Sequence, residues 1–253
     1  MGGRKPFIAG NWKMFKTVGE AVRTAKELSD RVSDAPDVDI MIAPNFTALA
    51  AVHDALGEST VMLGGQNLFW ESEGAFTGET SPVMLRDAGC RYVIIGHSER
   101  RQYFGETDET VRKKVKAALE NGLAPILCVG ETENERETKK TFSVLDKQIQ
   151  NGLKDLLSDE LGPLVIAYEP VWAIGTGKTA SREQAQEVHR FLRSVIETMF
   201  GNELANAIRI QYGGSVKPNN IKALMEMPDV DGALVGGASL DAEIFSRILH
   251  FQH

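Results

Sequence analysis

Short runs of β-branched and aliphatic residues alternate along this chain with longer segments whose apolar positions follow a helical period. Phe7-Ile8-Ala9-Gly10 reads as a buried strand. It is followed by Val18, Ala21, Val22, Ala25, Leu28 and Val32 behind a Thr17/Glu20 capping-box spacing, which predicts a helix. Asp39-Ile40-Met41-Ile42-Ala43 precedes a helical stretch carrying Leu49, Val52 and Leu56, and Val61-Met62-Leu63-Gly64 opens a third unit whose helix starts at Ser81-Pro82, a cap residue with proline in the first turn. Further strands are predicted at 91–95, 124–129, 164–168, 208–212 and 232–235. The helices between and after them are marked by Val111, Val115 and Ala118, by Phe142, Leu145, Ile149, Leu153 and Leu156, by Val188, Leu192 and Val195 behind Ser181/Gln184, and by Phe245, Ile248 and Leu249. Strands this uniformly apolar are covered on both faces, so the sheet they form is parallel. Eight strands in such units, with no linker or compositional break, predict one α/β domain over residues 1–253. A closed single-domain (β/α)8 barrel fits better than an open doubly wound sheet.

Closure changes the meaning of the polar residues at strand ends, because it gathers every carboxyl-terminal end on one rim. Asn11, Lys13, His97, Glu169, Ser215 and Gly236-Gly237 all follow such ends. Glu169 comes directly after the apolar run 164–168, and Pro170 disfavours helical geometry at it while fixing its own φ, so the carboxylate is aimed. Val171-Trp172-Ala173-Ile174 is too apolar for an ordinary surface loop. With Gly175-Thr176-Gly177 after it, whose backbone N–H groups can approach a ligand, the segment reads as a lid. His97 stands before Ser98-Glu99 at an expected helix start, whose positive end disfavours an imidazolium. Lys13, right after a buried strand, is a cation with no evident partner in the sequence. The glycine pairs Gly213-Gly214 and Gly236-Gly237 can bring main-chain N–H groups to an anion, and with Gly175 they form one candidate phosphate cradle. His53, His189, His250 and His253 read as structural or solvated. Gly177-Lys178-Thr179 is not a phosphate loop, since Trp172 occupies the place of the required glycine. Gly175, Gly177 and Ala180 do not complete a dinucleotide fingerprint.

Composition narrows the classes of partner. A formal net charge of −7 over 253 residues opposes nonspecific binding to nucleic acid or to an anionic membrane, so any attraction for an anionic substrate must be local. Cys90 and Cys128 have no metal or redox spacing and fit reduced thiols. No apolar run is long enough to span a bilayer, and residues 1–6 lead into no signal-peptide core, so a cytoplasmic location is expected. The connection from Gln66 to Thr80 is unusually long and polar, as functional loops are.

Several separated segments resemble the triosephosphate isomerase family: Ala9-Gly10-Asn11-Trp12-Lys13, Gly96-His97-Ser98-Glu99-Arg100-Arg101, the run from Ala167 to Ala180, Tyr212-Gly213-Gly214-Ser215-Val216 and Gly236-Gly237-Ala238. The similarity extends over nearly the whole chain. It implies a TIM barrel acting as an aldose–ketose isomerase, interconverting dihydroxyacetone phosphate and D-glyceraldehyde 3-phosphate in glycolysis and gluconeogenesis without metal or cofactor. By resemblance, Glu169 removes the proton from the carbon beside the carbonyl, His97 polarises and protonates the enediolate oxygens, and Lys13 offsets developing negative charge with Asn11 in the same corner. Gly175, Ser215, Gly236 and Gly237 would hold the phosphate, and Glu99, Arg100 and Cys128 match family positions that line or support the site. The resemblance also implies a homodimer through the Gln66–Thr80 loop, with Thr77 reaching toward Asn11 and Lys13 of the partner subunit. Gly64-Gly65-Gln66-Asn67 departs from the commoner family form, which has alanine at the second position. Another phosphate-binding barrel would share Ser215 and Gly236-Gly237 but lack the set of Lys13, His97 and Glu169. A catalytically silent barrel would have lost one of those three.

Overall fold

A computed structural model describes residues 3–174 and 179–252. Its strands are β1 (Phe7–Asn11), β2 (Asp39–Ala43), β3 (Val61–Gly65), β4 (Cys90–Ile95), β5 (Ala124–Val129), β6 (Val165–Tyr168), β7 (Arg209–Tyr212) and β8 (Gly232–Val235), all parallel, in a barrel closed in sequence order. The helices of the described residues are α1 (Val18–Arg31), α2 (Leu49–Leu56), α3 (Pro82–Asp87), α4 (Ser98–Tyr103), α5 (Asp108–Glu120), α6 (Glu133–Glu137), α7 (Thr141–Gly152), α8 (Arg182–Phe200), α9 (Asn202–Ala207), α10 (Ile221–Met225) and α11 (Ala242–Leu249). None is long and apolar enough to cross a membrane.

The caps expected from sequence are made: Glu20 accepts from the amide and hydroxyl of Thr17, Ser81 accepts from the Met84 amide ahead of Pro82, and Ser181 exchanges hydrogen bonds with Gln184. Side-chain alternation along the strands separates two layers of apolar packing. Phe7, Ala9, Met41, Ile94, Ile126, Cys128, Val165 and Leu234 fill the barrel, while Ile8, Ile40, Ile42, Val93, Leu127 and Ile166 face the helices. Both faces of the strands are therefore dry, which is why the sequence shows continuous rather than alternating apolar runs. Glycine at the unusual position 65 has a local cause. A Cβ there would come within 2.9 Å of Leu85, so the Leu85 methyls take the room an alanine would use.

The seam of the barrel joins the first strand to the last. Gly232 lies beside Phe7 so closely that a Cβ would fall 1.8 Å from the Phe7 carbonyl oxygen, and Gln211 donates to the same oxygen at 2.9 Å. Arg4 pairs with Asp231 at 2.6 Å next to this seam.

At the amino-terminal end of the barrel, Asp39 receives Arg209 at 2.6 Å and Lys5 at 2.7 Å, and the Arg209 guanidinium also lies over the Phe7 ring. Burial pushes the Asp39 pKa up, but the hydrogen bonds and charges of Lys5 and Arg209 outweigh it, so the net shift is downward. A carboxylate with a lowered folded-state pKa stabilises the fold fully above its unfolded value, about 3.9, and loses that contribution as pH falls through the folded value. Asp39→Asn should therefore lower stability at neutral pH by on the order of 1–2 kcal/mol and flatten its decline between about pH 4 and pH 2. Urea unfolding across that range checks it, and parallel pH profiles for the two proteins would show that Asp39 is not a linkage site.

Candidate active site

The carboxyl-terminal rim encloses a cavity of about 370 Å³, within the range of small-ligand sites, lined by Asn11, Lys13, His97, Glu169, Ser215, Gly236 and Gly237. The structure thus brings together every sequence-derived site residue except Gly175, which lies outside the described residues. Cavity-facing positions that sequence reading did not single out include Lys217 and Leu234, and Ile174 of the expected lid also lines it.

Glu169 is almost fully buried, and its carboxylate is tied by three donors: the Ser98 amide at 2.9 Å, the Ser98 hydroxyl at 3.1 Å and His97 Nε2 at 2.9 Å. Burial pushes its pKa up, yet His97 and the two Ser98 donors together hold it below the usual carboxylate value, so the group is an anion. Its backbone is packed as tightly. Gly213 donates to the Tyr168 carbonyl at 2.7 Å, and a Cβ on Gly213 would meet Glu169 Cγ at 3.0 Å. This corrects the reading of Gly213 as part of an anion cradle. The Gly213 N–H is spent within the barrel, where Tyr168 and Glu169 crowd that glycine, while a Cβ on Gly214 would fall 2.3 Å from the Tyr212 hydroxyl and 3.0 Å from Pro170.

His97 caps α4, and its Nδ1 accepts from the Glu99 amide at 3.2 Å. That contact leaves Nε2 as the protonated nitrogen, aimed at Glu169. Burial favours the neutral ring, but the Glu169 carboxylate, with Glu99 behind it, raises the His97 pKa overall. The expectation of a lowered affinity, based on the helix start alone, is therefore corrected by the carboxylate from the neighbouring strand end.

Lys13 is not unpartnered: its ammonium meets Glu99 at 2.5 Å, and its Cε stands 3.4 Å from where a Gly236 Cβ would be. Its backbone sits at φ 49°, a left-handed conformation uncommon outside glycine, and is held there from two sides. Asn11 Oδ1 accepts from the Lys13 amide at 3.0 Å, while Gln66 Nε2 donates at 2.8 Å to both the Lys13 and Ala43 carbonyls. Gln66 was legible only as the start of the long loop. Of the supporting residues, Glu99 holds Lys13, and the Cys128 thiol is fully buried beside Glu169, with burial and then that carboxylate raising its pKa. Arg100 instead lies toward Glu106 and over the Phe104 ring, away from the cavity.

The lid-like segment begins as a short turn over Val171–Ala173, anchored to Glu131. The fully buried Glu131 carboxylate accepts from Tyr168 OH at 3.1 Å and Trp172 Nε1 at 3.0 Å, and its carbonyl accepts from the Val171 amide. Beyond residues 175–178, the Ala180 amide donates to Tyr212 OH at 3.3 Å. His189, His250 and His53 lie outside the cavity, and burial lowers the His189 pKa to about 4; His253 lies outside the described residues. No group of three or more His, Cys, Asp or Glu able to hold a metal ion occurs among the described residues.

Comparison with known proteins identifies the family. The model of the triosephosphate isomerase family matches residues 6–252. The triosephosphate isomerase of Geobacter metallireducens is 59% identical over 249 residues, covering 98% of this chain and 99% of that protein. That of Trichlorobacter lovleyi is 58% identical with the same coverage. Among solved structures, triosephosphate isomerase from Bartonella henselae is similar with a TM-score of 0.89 at 40% identity, covering 98% of this chain and 99% of that one.

Proposed function

The chain belongs to the triosephosphate isomerase family, and on that premise we propose that it interconverts dihydroxyacetone phosphate and D-glyceraldehyde 3-phosphate at the rim cavity by proton transfer through an enediolate. The observation that carries the residue assignment is the convergence of a buried anionic Glu169, the Nε2–H of His97 and the Lys13 ammonium on one small cavity. Moving a proton between adjacent carbons needs a base and an electrophile, and those are the groups assembled.

Glu169 takes the proton from the carbon beside the carbonyl. To reach it, the carboxylate leaves the Ser98 and His97 donors that hold it, and its departure removes the larger of the two carboxylate influences that raise the His97 pKa, leaving that of Glu99. Burial, the Lys13 charge, the Glu99 amide at Nδ1 and the α4 start then favour a neutral ring against the Glu99 carboxylate alone, and that ring donates from Nε2 to the substrate oxygens without holding a fixed charge. Lys13 stabilises the negative charge that develops there, with Asn11 holding the Lys13 turn. Ser215, Gly236 and Gly237, with Gly175, bind the phosphate. Val171–Ile174 act as a lid that excludes water, since an enediolate beside a phosphate ester otherwise eliminates phosphate. A coupled assay for triose phosphate interconversion tests this function. A folded protein inactive on both triose phosphates would overturn it.

A homodimer through residues 66–80 is part of the same proposal. Phe69 stacks on Trp70 and packs at a tilt against Phe76 to stiffen the base of this loop, leaving residues 71–79, Phe76 included, exposed. Met14, Phe46, Val83 and Met84 are exposed apolar residues that a second subunit would cover. Thr77→Arg should shift the protein toward monomer in sedimentation and reduce activity at low protein concentration, because it would place a charge against Lys13 of the partner subunit. Unchanged sedimentation would remove this loop from the interface. Cytoplasmic location fits the same reading, with Cys90 and Cys128 as free, buried thiols.

A further inference from the structure

We propose that Gln148 is a positioning residue for proton transfer, holding the Gly130 peptide against which the backbone of Glu169 rests. This inference rests on the assignment of Glu169 as the base. Although β5 and β6 end at Val129 and Tyr168, their pairing continues past the strands: Glu169 N donates to Val129 O at 2.8 Å and Val171 N donates to Glu131 O at 3.1 Å. Gly130 lies between these two rungs. A Cβ on it would fall 1.8 Å from the Glu169 carbonyl oxygen and 3.2 Å from Glu169 Cβ, so any sliding of Gly130 is passed directly to the base and to the first residue of the lid.

Gly130 has no strand on its other side at this height, because β4 has already ended at Ile95. Gln148, from the middle of α7, takes that place. Its Oε1 accepts from the Gly130 amide at 2.8 Å and its Nε2 donates to the Gly130 carbonyl at 3.1 Å. One carboxamide thus reproduces both hydrogen bonds of a missing neighbour strand. The helix is itself fixed, with Leu145 and Ile149 fully buried on either side of the clamp. Gln148 lines the hollow behind Glu169 and not the cavity proposed to hold substrate, so its influence on the reaction is exerted through Gly130. A carboxylate that must leave three donors and meet a carbon at the right angle depends on such a support.

Gln148→Met keeps the length and apolar stem but removes both hydrogen bonds. Because a misplacement of about 1 Å costs up to roughly 10²-fold in rate, kcat should fall about tenfold or more while KM stays within about twofold. Combined with Glu169→Gln, the same change should reduce the residual rate by less than about twofold, since the base it positions is already gone. If Gln148→Met does not fold, Gln148→Glu provides the same test: it keeps the acceptor for the Gly130 amide but repels the Gly130 carbonyl, and the loss should again fall on kcat. An unchanged kcat, or an equal loss in both backgrounds, would overturn the proposal and leave Gln148 as a packing residue read only in Tm. Near-normal turnover of Glu169→Gln alone would instead unseat the base assignment, and the kcat of Gln148→Met in the unaltered background would still judge the clamp.

Discussion

Glu169→Gln is expected to fold normally and to lose turnover by at least about 10²–10⁴, the usual scale for removing a general base. The carboxamide fills the same space in a site that is almost fully dry, and it can keep two of the present contacts. Its oxygen can accept from the Ser98 amide, and the Ser98 hydroxyl can turn to accept from the new NH2. The amide cannot take a proton from carbon. Because Glu169 has a lowered folded-state pKa, its removal also takes away stability that is present above the unfolded carboxylate value and lost on acidification. The variant should therefore be somewhat less stable at neutral pH and differ less from the parent in acid. Exchange of the substrate's transferable hydrogen with solvent is the sharper measurement: it should nearly stop in the variant. Isomerisation and exchange at parental rates in a folded Glu169→Gln protein would mean that another group is the base.

Lys13→Met should lower kcat/KM by about 10²–10³, through both KM and kcat, because removing one preorganised charge donor from a dry site costs about this much in the transition state. The change is nearly isosteric, and the turn around it is held by Asn11 and Gln66 through main-chain atoms that methionine retains. Glu99 loses its partner, but at 38% exposure it can be rehydrated, so the cost to stability should stay below about 1 kcal/mol. In a chain of net charge −7, Lys13 is a local source of attraction, and KM for the anionic substrate should become less sensitive to salt once it is gone. Unaltered kinetics at both low and high ionic strength would place Lys13 outside the mechanism.

How much of this could be read in the sequence depended on whether the controlling contact was local. The strands were legible because both faces are covered and the apolar runs are continuous, and α1, α5, α7 and α8 because they are long enough to repeat. Helices α4, α6, α9 and α10 span five or six residues, too few for a period, and only α4 was anticipated, from its start after His97. Lys13, His97 and Glu169 stood out as polar residues at the ends of buried strands. Ser98, Gln66, Glu131 and Gln148 did not, since each matters through an atom far along the chain: Ser98 reaches Glu169, and Gln66 reaches back to Lys13 and Ala43. The direction of the His97 shift was missed for the same reason, because local sequence shows the helix start but not the carboxylate brought across from β6. Gly213-Gly214 misled in the opposite way. A glycine pair reads as freedom to bind an anion, whereas here it also reflects crowding, by Tyr168 and Glu169 at Gly213 and by Tyr212 and Pro170 at Gly214.

The seam between β1 and β8 makes the order of synthesis matter. Asn11 and Lys13 leave the ribosome long before Gly236-Gly237, so the two sides of one cavity are separated by the synthesis of all the units between them. Until β8 emerges, β1 and β7 both present open edges, and neither the Phe7–Gly232 contact nor the Arg4–Asp231 pair can form. A nascent chain stalled before residue 232 should therefore bind no substrate however well its first units have folded, and it should be the species that chaperones hold. Release of β8 closes the ring and completes the catalytic rim in the same event.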